Sequence, residues 1–119
     1  FDYTLSALES SARVIQAWVK READTYPILV TGDFNADKNS SAYRLLTTGS
    51  SLFDVYRQIN EEENEGTFHG FGQAAELSPI DWMLASDSFR VVSAQIDRFH
   101  ADHIYPSDHY PVTASLEWK

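Results

Sequence analysis

Cysteine is absent from this chain of 119 residues, and proline, glycine and methionine are scarce at 4, 5 and 1. Without cysteine there can be no disulfide, thiol nucleophile or cysteine-based zinc site, while the compartment stays open. Basic side chains are few: 9 Lys and Arg stand against 18 Asp and Glu, for a formal charge of −9. That balance disfavours nonspecific nucleic-acid binding, which needs a basic face to displace counterions. No run approaches the roughly 18 apolar residues of a membrane span, and no signal peptide is legible. What is present suffices for a folded unit. A content of 43% hydrophobic and 13% aromatic residues can bury a core, and the length corresponds to one domain at most.

The charge deficit is uneven. Residues 1–60 hold 7 acidic and 6 basic side chains, whereas residues 61–119 hold 11 and 3. Much of the excess lies in Glu61-Glu62-Glu63 and Glu65, which reads as a solvated loop. Leu8, Ala12, Ile15 and Val19, with Trp18 alongside, mark one apolar stripe of a helix over roughly 5–22. Ile28-Leu29-Val30-Thr31 then reads as a short buried strand closed by Gly32. Ser40 and Ser41 can cap a second helix through Ala42–Leu46 that stops near Gly49. The second half reads as strands: a glycine-punctuated stretch from Thr67 to Gly72, then Ile80–Ala85, Phe89–Ile96 and Val112–Trp118. Helix, strand, helix and several strands give a mixed α/β class with a sheet faced by helices.

Polar side chains at the strand ends carry the functional signal. Asp33 and Asn35 flank Phe34 just beyond a strand, where sheets open into ligand crevices. With period-two geometry they would point the same way, and a plain turn is the competing reading. Asp81 sits inside Ile80-Asp81-Trp82-Met83-Leu84, where a carboxylate is costly unless it meets a cation, a metal or an imidazole N–H. A salt bridge or an edge-strand position would also explain it. Asp108 and His109 precede the last strand between Pro106 and Pro111. As neighbours on extended backbone they face opposite ways, which disfavours a hydrolase triad built on Ser107. They could instead serve one crevice with different tasks, a carboxylate for a hard cation and an imidazole for proton transfer. His109 then lacks an orienting partner and Asp81 lacks a reason for burial, so each could supply the other. His100, Asp102 and His103 read as a loop rather than a transition-metal site, and His69 reads as an exposed loop histidine.

Three motifs therefore stand in fixed order: Gly32-Asp33-Phe34-Asn35, Ile80-Asp81 within a strand, and Ser107-Asp108-His109 before a final strand. The set resembles the endonuclease/exonuclease/phosphatase superfamily of deoxyribonuclease-I-like, metal-dependent phosphoesterases, and Thr67-Phe68-His69-Gly70-Phe71 is similar to the stretch before the Ile-Asp strand in many bacterial members. The resemblance implies a two-sheet β-sandwich with flanking helices, the four-layer fold of the family. It implies that Asp33 activates water or protonates the leaving oxygen, and that Asn35 contacts the phosphate oxygens and the metal region. Asp108 would ligate a divalent cation, Mg2+ first and Mn2+ as a substitute. His109 would stand beside the phosphate as general base or as stabiliser of the phosphorane-like state, and Asp81 would orient it.

The family domain is about twice as long, so residues 1–119 are expected to be the C-terminal portion of one domain. The family's metal-binding Glu, an upstream Asn and a second catalytic His belong to the other half, and Phe1-Asp2-Tyr3 looks like the residues that follow that His. The expected partners are a phosphate-ester substrate and the N-terminal half of the same domain. Alone, the segment is expected to be inactive and to self-associate or swap through its uncovered apolar face. The leading expectation is a Mg2+-dependent phosphatase or phosphodiesterase. A metal-dependent endo- or exonuclease is the alternative, with nucleic acid disfavoured by charge, and a noncatalytic interaction module on the same fold is a third. Retention of Asp33, Asn35, Asp81, Asp108 and His109 together counts against the module. The lack of cysteine suits a bacterial protein that is either cytoplasmic or exported.

Overall fold

The computed structural model describes residues 4–61, 65–74 and 79–119. The elements run α1 (Leu5–Glu22), β1 (Leu29–Asp33), α2 (Ser41–Thr47), β2 (Leu52–Asp54), α3 (Val55–Ile59), β3 (Asp81–Ser86), β4 (Phe89–Ile96) and β5 (Val112–Trp118). β1, β3 and β2 form an antiparallel sheet with β3 in the middle, and β4 and β5 form a second antiparallel pair. Phe1-Asp2-Tyr3, Glu62 and Glu63 lie outside the described residues. Among the described residues no helix is long and apolar enough to cross a membrane.

β3 is the spine because its two faces meet different partners. Side chains alternate along a strand, so Trp82 and Leu84 join one core and Met83 and Ala85 the other. The first core receives the stripe of α1, with Ala12 and Val19 buried and Ile15 against them, and Ala42, Tyr43 and Leu46 of α2. α1 and α2 each start on a hydroxyl cap: Thr4 Oγ1 accepts from the Ala7 amide at 3.1 Å and Ser40 Oγ from the Tyr43 amide at 3.2 Å. The Gln16 side chain ties the helices together by donating to the carbonyls of Leu45 and Gly49 at 3.0 and 2.8 Å. The second core places Val55, Phe53 and Tyr56 against Phe89, Val91 and Ala94 of β4 and Ala114 and Leu116 of β5. A strand covered on both faces needs a continuous apolar run, and Trp82–Ala85 is one.

The α/β class, the first helix, the second helix and the strands near 81, 89 and 112 follow the sequence expectation. β1 does not. It lies at the sheet edge with Leu29 48% exposed, and only Ile28, just before it, is buried. Ile28 is held there by its own amide, which donates to Ser86 Oγ at 2.9 Å. The Thr67–Gly72 stretch makes a single bridge, Phe68 to His109, before a turn. Gly70, Phe71 and Gly72 all take positive φ in that turn, at 57°, 58° and 81°. Gly72 also has the Tyr105 ring 3.0 Å from where a Cβ would sit, so both space and backbone require glycine there. β2 and α3 are additions that the sequence did not announce.

The acidic run is a further correction. Glu61 is exposed, but Glu65 is only 6% exposed. Its carboxylate accepts from Lys38 Nζ at 3.0 Å and from Arg57 Nη2 at 2.9 Å. A carboxylate is removed from water here because two cations replace the water.

Candidate active site

The site begins with register. β1 ends and β3 begins at the same level, so Asp33 and Asp81 are directly opposite one another. Two carboxylates at one cross-strand position repel unless something positive or a proton donor stands between them. His109 is that group. Its Nδ1 lies 2.7 Å from Asp81 Oδ2, its Nε2 lies 3.9 Å from Asp33 Oδ2, and Asp108 Oδ1 is 4.0 Å from the same Nε2. An ionised carboxylate only accepts, so Nδ1–H donates to Asp81, and the neutral ring keeps the Nε2 lone pair toward Asp33 and Asp108. The pairing of Asp81 with His109 inferred from burial is therefore present in the geometry.

The segment carrying His109 is clamped through its backbone. The Asp108 carbonyl accepts from the amides of His69 and Gly70 at 2.9 and 3.1 Å, and the Tyr110 amide donates to the Thr67 carbonyl at 2.6 Å. The Phe68 ring packs edge-on against the imidazole, with centroids 5.2 Å apart. Ser107 Oγ accepts from the His109 backbone amide at 3.1 Å, which makes it a turn former. On the other side, Phe34 is buried, stacks on Trp82 at 4.3 Å and 10°, and donates its amide to the Ile80 carbonyl at 2.8 Å. This pins the chain directly after Asp33.

Asn35 departs from the period-two expectation. The strand stops at Asp33, Asn35 takes φ 50°, and its amide donates to Asp33 Oδ1 at 2.8 Å. This is an Asx turn, in which one oxygen of Asp33 fixes the loop and the other faces His109. His69 is also unlike its expectation. It is 3% exposed, with the Tyr105 and Tyr110 rings 4.6 and 4.2 Å away, and its Nδ1 accepts from the Gly72 amide at 3.3 Å. His100, Asp102 and His103 are exposed in a loop as expected, with His100 stacked on Tyr105 at 4.5 Å.

Lys38 carries no signal in the sequence, and Thr67 enters it only as the first residue of the Thr67–Phe71 stretch. Thr67 Oγ1 accepts from the amides of Ile80 and Asp81 at 3.1 and 3.2 Å. Nothing in its neighbours signals that role. Asp54 carried a readable signal, because it stands in Leu52-Phe53-Asp54-Val55-Tyr56 as Asp81 stands in its own apolar run. Its buried partners are Lys38 and the phenol of Tyr43, at 2.9 and 2.8 Å. Burial and then the Asp54 carboxylate push the Tyr43 hydroxyl well above its ordinary range, so it stays protonated and donates.

Asp33, Asp81 and His109 present ligand atoms within 4.8 Å of one another. Among the described residues this is the one group of three or more such side chains that could hold an ion. They line an open crevice of about 310 Å³ together with Thr31, Trp82 and Val112. The donor set is two carboxylates with an imidazole beside them, a group that could hold a divalent cation. Burial alone would lower the His109 pKa. The hydrogen bond to Asp81, then the charges of Asp81, Asp33 and Asp108, outweigh it and raise the value above 6.5. In chelated buffer the His109 imidazole should therefore titrate above 6.5 by NMR, and Asp81→Asn should bring it down. A raised folded-state pKa adds stability that is full below the unfolded value and is lost as pH climbs through the folded one. A wild-type midpoint at or below 6.5 would contradict the pairing.

Comparison with known proteins shows the family and the fold. A model of the Endonuclease/Exonuclease/phosphatase family matches residues 5–109, and no curated protein matches the chain. An endonuclease/exonuclease/phosphatase from Bacteroides vulgatus is similar at 29% identity and TM-score 0.83, covering 100% of this chain and 47% of that one. The mannosyl-6-phosphatase of Bacteroides thetaiotaomicron is similar at 28% identity and TM-score 0.78, covering 95% and 46%. The catalytic domain of human Nocturnin shares the fold at 20% identity and TM-score 0.73, covering 97% and 42%. The chain spans less than half the length of each.

Proposed function

The chain belongs to the endonuclease/exonuclease/phosphatase family, and on that footing we propose that it is part of a divalent-metal-dependent phosphoester hydrolase acting by in-line attack of water on phosphorus. The family contains phosphoester hydrolases and is generally dependent on divalent metal. The observation that carries the proposal is the convergence of Asp33 and Asp81 on one imidazole. Asp81 fixes the tautomer and aim of His109. Its Nε2 then takes a proton from water, or in the protonated form donates to the phosphoryl oxygens as charge builds on them. Asp33, with one oxygen free of the turn, activates water or returns a proton to the leaving oxygen. Asn35 presents a neutral donor and acceptor to the phosphate from the same turn.

Asp108, whose Oδ1 lies 4.0 Å from His109 Nε2 beside the Asp33–Asp81–His109 group, is the carboxylate that would hold Mg2+, or Mn2+ in its place. The cation would supply positive charge at the non-bridging oxygens. Residues 1–119 form the C-terminal portion of the domain in this reading, and the crevice over Thr31, Trp82 and Val112 is closed by the N-terminal half. The segment alone is inactive and prone to self-association. A small phosphate ester is favoured as substrate. The charge of −9 disfavours a nucleic-acid polymer, and one of the similar structures is that of a mannosyl-6-phosphatase.

The test compares turnover of small phosphate mono- and diesters by the segment and by a form completed with the N-terminal half. Each is measured with magnesium and then with chelator. Activity confined to the completed form and abolished by chelator is expected. Turnover indifferent to chelator would remove the metal from the proposal, and turnover by the 119-residue segment alone would overturn the division of the site. Cleavage of plasmid DNA with none of small esters would replace the phosphatase by a nuclease.

A further inference from the structure

Thr67 does not face the crevice, yet the hydrogen bonds that fix both members of the Asp81–His109 couple pass through it. We infer that Thr67 is a positioning residue, its hydroxyl setting the Asp81 end and its carbonyl the His109 end of that couple. The inference rests on the function proposed above, in which Asp81 orients His109.

The side chain is 1% exposed, so its oxygen is held among protein groups. The ladder between β1 and β3 closes at Asp33 and Asp81, and β2 reaches only Leu84, Ala85 and Ser86 of β3. Among the described residues the start of β3 is therefore left without a strand on its second side. Thr67 Oγ1 fills that place by accepting from two consecutive amides, Ile80 at 3.1 Å and Asp81 at 3.2 Å. The Ile80 carbonyl meanwhile accepts from Phe34 at 2.8 Å. The residue before Asp81 is thus held from the β1 side by its oxygen and from the Thr67 side by its nitrogen. One peptide further along, the Thr67 carbonyl accepts from the Tyr110 amide at 2.6 Å, and Phe68 is bridged to His109. A hydroxyl and a carbonyl on one residue therefore set the separation of carboxylate and imidazole.

Two features make this a fixed reference. A β-branched side chain has restricted χ1, so the oxygen of Thr67 is already aimed. Two residues earlier Glu65 is locked by Lys38 at 3.0 Å and by Arg57 at 2.9 Å.

The test uses the completed, metal-loaded protein. Thr67→Val keeps shape and removes the acceptor, leaving two amides without a partner. Its kcat should fall on the order of 100-fold, as for a small misplacement of catalytic groups, with KM nearly unchanged. Thr67→Ser should recover most of the rate. In an Asp81→Asn background Thr67→Val should cost little more, because the residue acts through Asp81. A second readout needs no turnover: the downfield Nδ1 proton that His109 shares with Asp81 should persist in wild type and Thr67→Ser and be lost in Thr67→Val. If wild type fails to turn over ester while that proton follows this pattern, the function fails and the positioning stands. If Thr67→Val keeps its kcat and the proton, or if its loss is as large in the Asp81→Asn background, the positioning is overturned. Should Thr67→Val not fold, Thr67→Cys against Thr67→Ser gives the same comparison with a weak acceptor at nearly constant size.

Discussion

Replacing His109 by alanine is expected to lower kcat of the completed protein by about 100- to 10,000-fold, with a small change in KM. Both roles open to this imidazole act as charge and protons move, so both reduce kcat. A ligand held equally in ground and transition state would raise KM instead. Asp81→Asn should approach the same loss. Asparagine can offer an N–H to Nδ1 and so favours the tautomer with its lone pair there, turning the Nε2 lone pair into a donor. With Asp81 acting through His109, as proposed, the double variant should be little worse than His109→Ala alone. Additive losses would mean that the 2.7 Å contact is incidental to the chemistry. Asp108→Ala separates enzyme from interaction module: metal-dependent turnover is lost in the first case, and partner binding survives in the second. The measurement is steady-state kinetics on a small phosphate ester across a magnesium titration.

The parts legible in the sequence were those with a local cause. A carboxylate inside Ile80–Leu84 has few ways of surviving burial, so Asp81 could be matched to His109 across 28 residues before any geometry was known. The stripe of α1 and the alternation of β5 are periodic over enough residues to be read. β2 and α3 span three and five residues, too few for a period to register. β1 misled because an apolar run shows affinity for a core without showing which strand lies at an edge. Asn35 misled because period two holds only while the strand lasts, and the side chain of Asp33 ends it. Glu65 and His69 were placed in solvent because their compensating partners are distant in sequence. Lys38 lies 27 residues before Glu65, and Tyr105 and Tyr110 lie far beyond His69. A charge or an imidazole shows its own cost of burial locally, but the group that offsets that cost is set by tertiary structure.

The same asymmetry predicts the largest stability effect in the chain. Lys38→Met should destabilise the fold by about 3–5 kcal/mol, a large share of the roughly 5–15 kcal/mol that holds a domain together. Lys38 Nζ lies 2.9 Å from Asp54 and 3.0 Å from Glu65, in side chains only 4% and 5% exposed. Methionine matches the volume of the stem but leaves the Asp54 carboxylate with the Tyr43 hydroxyl and the Arg57 amide as its remaining donors. Glu65 retains Arg57 through Nε and Nη2, so most of the penalty should fall on Asp54, which also caps α3. Arg57→Met should cost less, because that side chain is 26% exposed and Glu65 keeps Lys38. Urea unfolding of the three proteins tests the order, with the midpoint of Lys38→Met lowest. Equal midpoints for Lys38→Met and wild type would mean that water reaches the carboxylates and that the cluster adds nothing to the fold. The ranking also bears on activity, since Glu65 anchors the segment from which Thr67 holds Asp81. A Lys38→Met protein that stays folded at low temperature should still lose kcat, although Lys38 lines no part of the crevice.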